Sequence, residues 1–249
     1  PVACRADSAM LQYRYMGKMI KEAAYAVAKQ EGREVKPIIF SICEWGVNKP
    51  WKWGASAGNM WRTTMDIRPW WKWIKIIYNK TVDLYKYAVK GGWNDPDMLE
   101  VGNGKLSEAQ NISHFSLWCM MNAPLILGND LRKMSSKLVK IVTNRNMIAI
   151  NQDTLGIPAK RLRKSTVDVL VKPLSDDSAA ICFFNKSSHK ATSKLNINSV
   201  IADGYSSLTK ADKYKIIDMW SNEESMSEGK LRYTLDKDSV KVIKIIPVK

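Results

Sequence analysis

A short uninterrupted apolar run, Ile38-Ile39-Phe40-Ser41-Ile42-Cys43, sits between two stretches of helical periodicity and ends on Glu44. Such a run predicts a strand buried on both faces, as in a parallel sheet, and parallel strands require helical crossovers. The flanking sequence supplies them. From Ser8 to Lys29, the residues Leu11, Tyr15, Met19, Ala23 and Val27 recur every four positions. That spacing predicts an amphipathic helix whose stripe covers a core and which ends near Gly32. A second helical pattern follows Asp66 through Trp70, Trp73, Ile74 and Ile77 to Leu84 and Tyr87, and a third spans Ile112 to Met121. Strands are expected at about 59–64, just before Asn94, and at 125–127. Alternation of this kind implies βαβ units, with the acids Glu44, Asp66, Asp95 and Asp97 at the C-terminal strand ends, where a TIM barrel holds its active site.

The pattern changes after about Pro158. The runs at 167–171, 179–184, 215–220 and 239–246 are short, β-branched or alternating, and are separated by Ser, Asp, Asn and Gly. They predict an all-β antiparallel sandwich over 159–249, following an α/β domain over 1–158.

With 249 residues, 45% of them hydrophobic, the chain is long enough for one large or two modest cores. No apolar run approaches the ~18–20 residues of a membrane helix, so no membrane span is expected. The net charge of +15 raises nucleic acid as a partner, yet the surplus is spread: 22 basic against 13 acidic residues up to Pro158, and 17 against 11 beyond it. Without an arginine-rich helix or a zinc-finger spacing, that excess reads as solvated surface rather than a phosphate track. Cys4, Cys43, Cys119 and Cys182 form no C-x-x-C pair, so no metal site is expected. His114 falls within the third helix and reads as a core residue, while His189 sits in a polar turn. Neither stands at recognisable spacing from a Ser or Cys nucleophile.

Three strings carry more information than their parts: Ile42-Cys43-Glu44-Trp45-Gly46, Trp61-Arg62-Thr63-Thr64-Met65-Asp66-Ile67, and Gly91-Gly92-Trp93-Asn94-Asp95-Pro96-Asp97-Met98-Leu99. Each ends a short apolar or aromatic run on a turn bearing a carboxylate. With His114-Phe115-Ser116-Leu117-Trp118, Gly128-Asn129-Asp130-Leu131-Arg132 and Asn151-Gln152-Asp153, they resemble glycoside hydrolase family 27, the α-galactosidases. The resemblance implies the C-terminal half of a (β/α)8 barrel, strands five to eight, followed by a sandwich without catalytic residues. It implies hydrolysis of α-galactosides by two carboxyls, without cofactor or metal, and it fits a secreted or periplasmic setting.

By the same resemblance Asp66 is the general acid/base, Arg62 and Asp97 bind the sugar, Met98 forms an apolar wall, and Glu44 bonds the 2-hydroxyl. In isolation Asp66 also reads as an N-cap for the following helix, and Arg62 as one half of a rim ion pair. Met65 stands where family members carry a small residue. The family's nucleophile, an aspartate two residues before a cysteine, falls on Val2 when Cys4 is aligned, and that cysteine's usual disulfide partner is upstream. The expectation is therefore a fragment of a longer enzyme, inactive by itself and inclined to oligomerise or to pair with a missing N-terminal half. A second expectation is an inactive relic that binds carbohydrate or a protein partner.

Overall fold

The computed structural model describes residues 6–248. The expectations on Val2 and Cys4 therefore lie outside the described residues. The first helix, α1, runs Ala6–Gln30. Strands β1 (Ser41–Ile42), β2 (Met60–Arg62) and β3 (Trp93–Asp95) pair in parallel in that order, with Ile42 opposite Trp61 and Trp61 opposite Asn94. An isolated parallel bridge between Leu99 and Leu127 extends the series to a fourth position. The crossovers are α2 (Trp71–Thr81), continued by a 3-10 turn over Val82–Tyr87, and α3 (Glu108–Met120). This is part of a (β/α)8 barrel. Its regular strands are shorter than the apolar runs that encode them, but pairing continues beyond their ends: Asn59 N donates to Phe40 O at 2.8 Å and Phe40 N to Asn59 Oδ1 at 2.9 Å.

Helix α3 begins earlier than its apolar pattern because Ser107 and Gln110 cap it reciprocally. Two short helices that periodicity did not reveal, α4 (Ser136–Val142) and α5 (Arg145–Asn151), are capped by Ser135 and Asn144.

The α1 helix forms where expected but presents a different face. Leu11 is 60% and Tyr15 65% exposed, and Ala23 and Val27 also face solvent. The docked positions are Ala9, Tyr13, Gly17 and Ala28. Gly17 explains the choice: a Cβ there would lie 2.2 Å from Ala57 O, so the helix approaches the barrel more closely along its small residues than a stripe of large ones would allow.

Beyond α5 the chain forms β4 (Lys160–Arg163), β5 (Val167–Pro173), β6 (Ala179–Asn185), β7 (Ala191–Asn196), a short α6 (Ile197–Asp203), β8 (Lys213–Asp218), β9 (Glu224–Ser227), β10 (Lys230–Leu235) and β11 (Val240–Val248). A six-stranded sheet, in the order β4-β5-β6-β11-β8-β9, faces a two-stranded β10-β7 sheet, and every pairing is antiparallel. This is the expected sandwich.

Strands β5 and β6 are buried at every position, because their two faces serve different cores. Val167, Val169, Val171, Ile181 and Phe183 pack between the two sheets, whereas Leu170, Ala180, Cys182 and Phe184 pack against the barrel helices. Phe184 meets the rings of Trp71 and Tyr78 edge-on, at centroid distances of 5.9 and 5.3 Å. Asp168 and Lys172 occupy the same barrel-facing row and are fully buried.

Candidate active site

The parallel register brings the ends of β1, β2 and β3 together, and with them Cys43, Trp45, Arg62, Asp66, Asp95 and Asp97. Arg62 closes β2. Its NH2 nitrogen lies 3.0 Å from Asp66 Oδ1 and 2.6 Å from Asp97 Oδ2, so one guanidinium bridges the acids that end two neighbouring strands. The arginine side chain is only 12% exposed, whereas that of Asp66 is 71% exposed. Of the two readings of Arg62, the ion pair is present, and it links two of the residues singled out in the sequence. Arg62 Nε is buried without an acceptor among the described residues, as is the Thr64 hydroxyl.

Asp66 caps no helix. The N-cap position of α2 belongs to Trp70, which makes no side-chain cap. Asp66 Oδ1 instead accepts from Arg62 and, at 3.0 Å, from the indole Nε1–H of Trp45. Its backbone carbonyl accepts from Trp73 Nε1 at 2.8 Å, which ties the following helix to the acid-bearing turn.

Asp97 is the most tightly built member. Its φ of 87° lies in the left-handed region, which costs a non-glycine residue ~1–2 kcal/mol. Offsetting bonds surround it: Oδ2 accepts from Ile67 N at 2.8 Å, Oδ1 from Met98 N at 2.8 Å, and its carbonyl from Trp118 Nε1 at 2.7 Å. Its own N–H donates to Asp95 Oδ1 at 2.8 Å. Burial raises the Asp95 carboxyl to about 6, against the opposing pull of that N–H and of Arg62. Asn94 holds the loop: it accepts from Trp61 Nε1 at 2.8 Å and donates to Leu84 O at 2.9 Å. Met98 packs against Gly128, where a Cβ would come within 2.5 Å of its sulfur. Met65 is half exposed.

Glu44 stands apart from this group. Its Oε2 accepts from Asn48 Nδ2 at 2.5 Å, and its charge acts on Tyr13 of α1, whose phenol is raised by burial first and by Glu44 second. The neighbours on either side of it face the acids. Burial raises the Cys43 thiol, Arg62 opposes that shift, and Asp66 and Asp97 add to it. Cys43 follows directly on β1, whereas Trp45 is brought to the acids by the turn after it, where its φ is 49°. Of this string Glu44 was the candidate in the sequence, while the side chains that reach the acids are those of Cys43 and Trp45, and no two-residue period marks Trp45 in its left-handed turn.

His114 is fully buried, accepts from Glu100 N through Nε2 at 2.9 Å, and stacks edge-on with Trp118 at 4.1 Å. It is a core residue, as expected. Among the described residues no group of three or more His, Cys, Asp or Glu could hold a metal, and no helix is long and apolar enough to cross a membrane.

The arrangement offers a solvent-facing carboxyl braced on one oxygen, a second carboxylate fixed by backbone donors, and an arginine between them. Known proteins match both parts of the chain. Residues 8–153 match the family model described as "Alpha galactosidase A", and residues 164–245 match that of the "Alpha galactosidase C-terminal beta sandwich domain". The chain is 36% identical over 234 residues to the alpha-galactosidase of Cyamopsis tetragonoloba, covering 93% of this chain and 56% of that protein. It is 44% identical over 178 residues to alpha-galactosidase A of Cellvibrio japonicus, covering 66% and 44%. The crystal structure of alpha-galactosidase I from Mortierella vinacea superposes with a TM-score of 0.87 at 23% identity, over 98% of this chain and 64% of that one, a likeness of fold. The chain thus spans about half the length of the curated relatives it matches.

Proposed function

The chain belongs to the alpha-galactosidase A family, and on that footing we propose that it is the acid/base-bearing part of a retaining α-galactosidase that releases terminal α-linked galactose. The observation that carries this reading is the Arg62 bridge between Asp66 and Asp97 at the ends of adjacent parallel strands. In a double displacement one carboxylate attacks the anomeric carbon while a second carboxyl gives its proton to the departing oxygen; that second group then takes a proton from the water that releases the sugar. Asp66, open to solvent, fills the acid/base role. Asp97 and Arg62, locked together, bind sugar hydroxyls, and Met98 lines the apolar side of the pocket. Glu44 contributes to the 2-hydroxyl pocket through the loop it shares with Cys43 and Trp45. The nucleophile position falls on Val2, so the 249-residue chain by itself should not hydrolyse an aryl α-galactoside above the blank.

The test joins these residues to a complete barrel carrying aspartate at position 2. There, Asp66→Asn should depress galactosides with poor leaving groups by ~10²–10⁴, the usual worth of a general acid, and depress activated aryl galactosides far less in the bond-breaking step. Azide should intercept the glycosyl-enzyme, because a small anion needs no general base. Equal loss across leaving groups, with no azide adduct, would remove Asp66 from the mechanism.

The exposed stripe of α1 supports a second element of the proposal, self-association. Leu11, Tyr15 and Tyr25 share one face of α1, are 60–65% exposed and have no cover among the described residues, and such faces seek partners in water. Light scattering after size exclusion should show a dimer or larger species. The Leu11→Glu/Tyr15→Glu variant should shift it toward monomer. A monomeric parent chain would contradict this expectation.

A further inference from the structure

Trp45 has an unusual backbone for an aromatic residue. Its φ is 49°, and Gly46 follows at φ 75°, where a Cβ would lie 2.1 Å from Thr63 O. The turn after β1 is thereby pressed onto the end of β2, and the indole crosses from one strand end to the next to reach Asp66.

We propose that Trp45 is a positioning residue for Asp66, fixing which oxygen of that carboxyl exchanges the proton. Oδ1 receives two donors, Trp45 Nε1–H and Arg62 NH2, each at 3.0 Å, while no donor among the described residues reaches Oδ2. An oxygen that already accepts two N–H groups has no lone pair well placed for a proton, so the acid form carries it on Oδ2. In the first step Oδ2–H passes its proton to the glycosidic oxygen, which takes the electrons of the breaking C–O bond as the nucleophile carboxylate bonds the anomeric carbon. In the second, Oδ2 takes a proton from water as the water oxygen bonds the anomeric carbon and the glycosyl-enzyme C–O bond breaks, its electrons returning to the nucleophile carboxylate. The charged or titratable groups facing Asp66 are Arg62 from β2, Asp97 from the turn after β3 and Cys43 from the end of β1. Of the two donors on Oδ1, the uncharged one is the indole. Arg62 is shared with Asp97, so Trp45 is the donor dedicated to Asp66. The inference rests on the reading of Asp66 as acid/base.

The indole N–H is its own reporter. In the 15N-labelled 249-residue chain, the Trp45 Nε1–H signal is the one that Trp45→Phe removes; transverse-relaxation-optimised spectra tolerate a dimer. Its shift should follow pH in one step that vanishes in Asp66→Asn and persists in Met65→Ala. A signal indifferent to pH, or unchanged by Asp66→Asn, would overturn the proposal. In the completed barrel, Trp45→Phe should slow poor leaving groups about tenfold relative to activated ones, the loss expected for one charge-assisted bond, with KM unchanged. Indole coupling without that discrimination leaves the hydrogen bond standing and overturns its catalytic role. If Asp66→Asn itself shows no leaving-group dependence, the acid/base assignment has failed, whatever the indole reports.

Discussion

Asp168→Ala is expected to cost about 3–5 kcal/mol, a large share of the ~5–15 kcal/mol that holds a domain together. Asp168 is fully buried in the barrel-facing row of β5 and gathers four donors. Oδ2 accepts from Tyr78 OH at 2.9 Å and Arg161 NH1 at 3.2 Å; Oδ1 accepts from Lys186 Nζ at 2.8 Å and Ser165 N at 3.0 Å. Arg161, its side chain 2% exposed, reaches on to Asn79 at 2.8 Å and forks onto Asp83, so the cluster ties α2 and the turn after it to the sheet. Alanine would remove one of the three partners that hold the buried guanidinium and strip the charge that faces Lys186. Asp83→Ala breaks a pair on the same arginine, but the Asp83 side chain is 56% exposed, so that change should cost no more than about 1 kcal/mol. Urea unfolding of the two variants separates the cases. Equal losses would mean that burial of Asp168 does not govern the cluster.

The second expectation concerns acid. Burial lowers His114 from its ordinary 6.5 to about 3, so between those values the unfolded chain binds a proton that the folded chain refuses. Stability from this group is complete above pH 6.5 and is lost as pH falls, by ~1.4 kcal/mol per unit. Asp95 acts in the opposite sense. Raised from 3.8 to about 6, it keeps a proton that the unfolded chain releases, so acidification from pH 6 to 3.8 favours the fold. The carboxyls held low by partners, Asp218 by Lys241 and Asp176 by Lys244, lose their contributions only below the ordinary carboxylate range. Between pH 4 and 6 the His114 and Asp95 effects therefore nearly cancel, and the chain should look indifferent to pH there. His114→Gln keeps an acceptor for Glu100 N while removing the titration. Between pH 6.5 and 4.5 the wild-type chain should lose ~2–3 kcal/mol more than this variant, and Asp95→Asn should expose the histidine loss in full. Parallel pH profiles of wild type and His114→Gln would show that His114 is not the acid-labile group.

Much of this architecture was legible in the residues. The period of four along α1, the continuous run before Glu44 and the alternating runs after Pro158 marked the order of helices and strands, but burial did not follow the first two: Leu11 and Tyr15 are exposed, and the run expected to be buried on both faces leaves Ile38, Ile39 and Ser41 exposed. The strings around Arg62, Asp66 and Asp97 named three residues that the fold joins through one guanidinium. What the sequence concealed depends on distance and on backbone hand. The docked face of α1 was set by Gly17, whose lack of a side chain outweighed a larger apolar stripe. Trp45 reaches Asp66 because its φ is positive, and no periodicity announces that. Asp168 interrupts a run of valines and leucine, as an exposed strand residue would; its burial follows from a second core on the far side of the sheet.

That second core bears on how such a protein can be taken apart. In β5 and β6 odd and even positions answer to different neighbours, so the sandwich shares one of its walls with the barrel. A recombinant or grafted sandwich cut near Lys160 would carry Leu170, Cys182, Phe184 and Val242 into water, along with an Asp168 deprived of Tyr78. A join made at that loop succeeds only when α2 and α3 travel with the sheet. The packing unit is thus a sheet with its two covering helices, and its seam runs through the side chains of alternate residues rather than through any peptide bond between the domains.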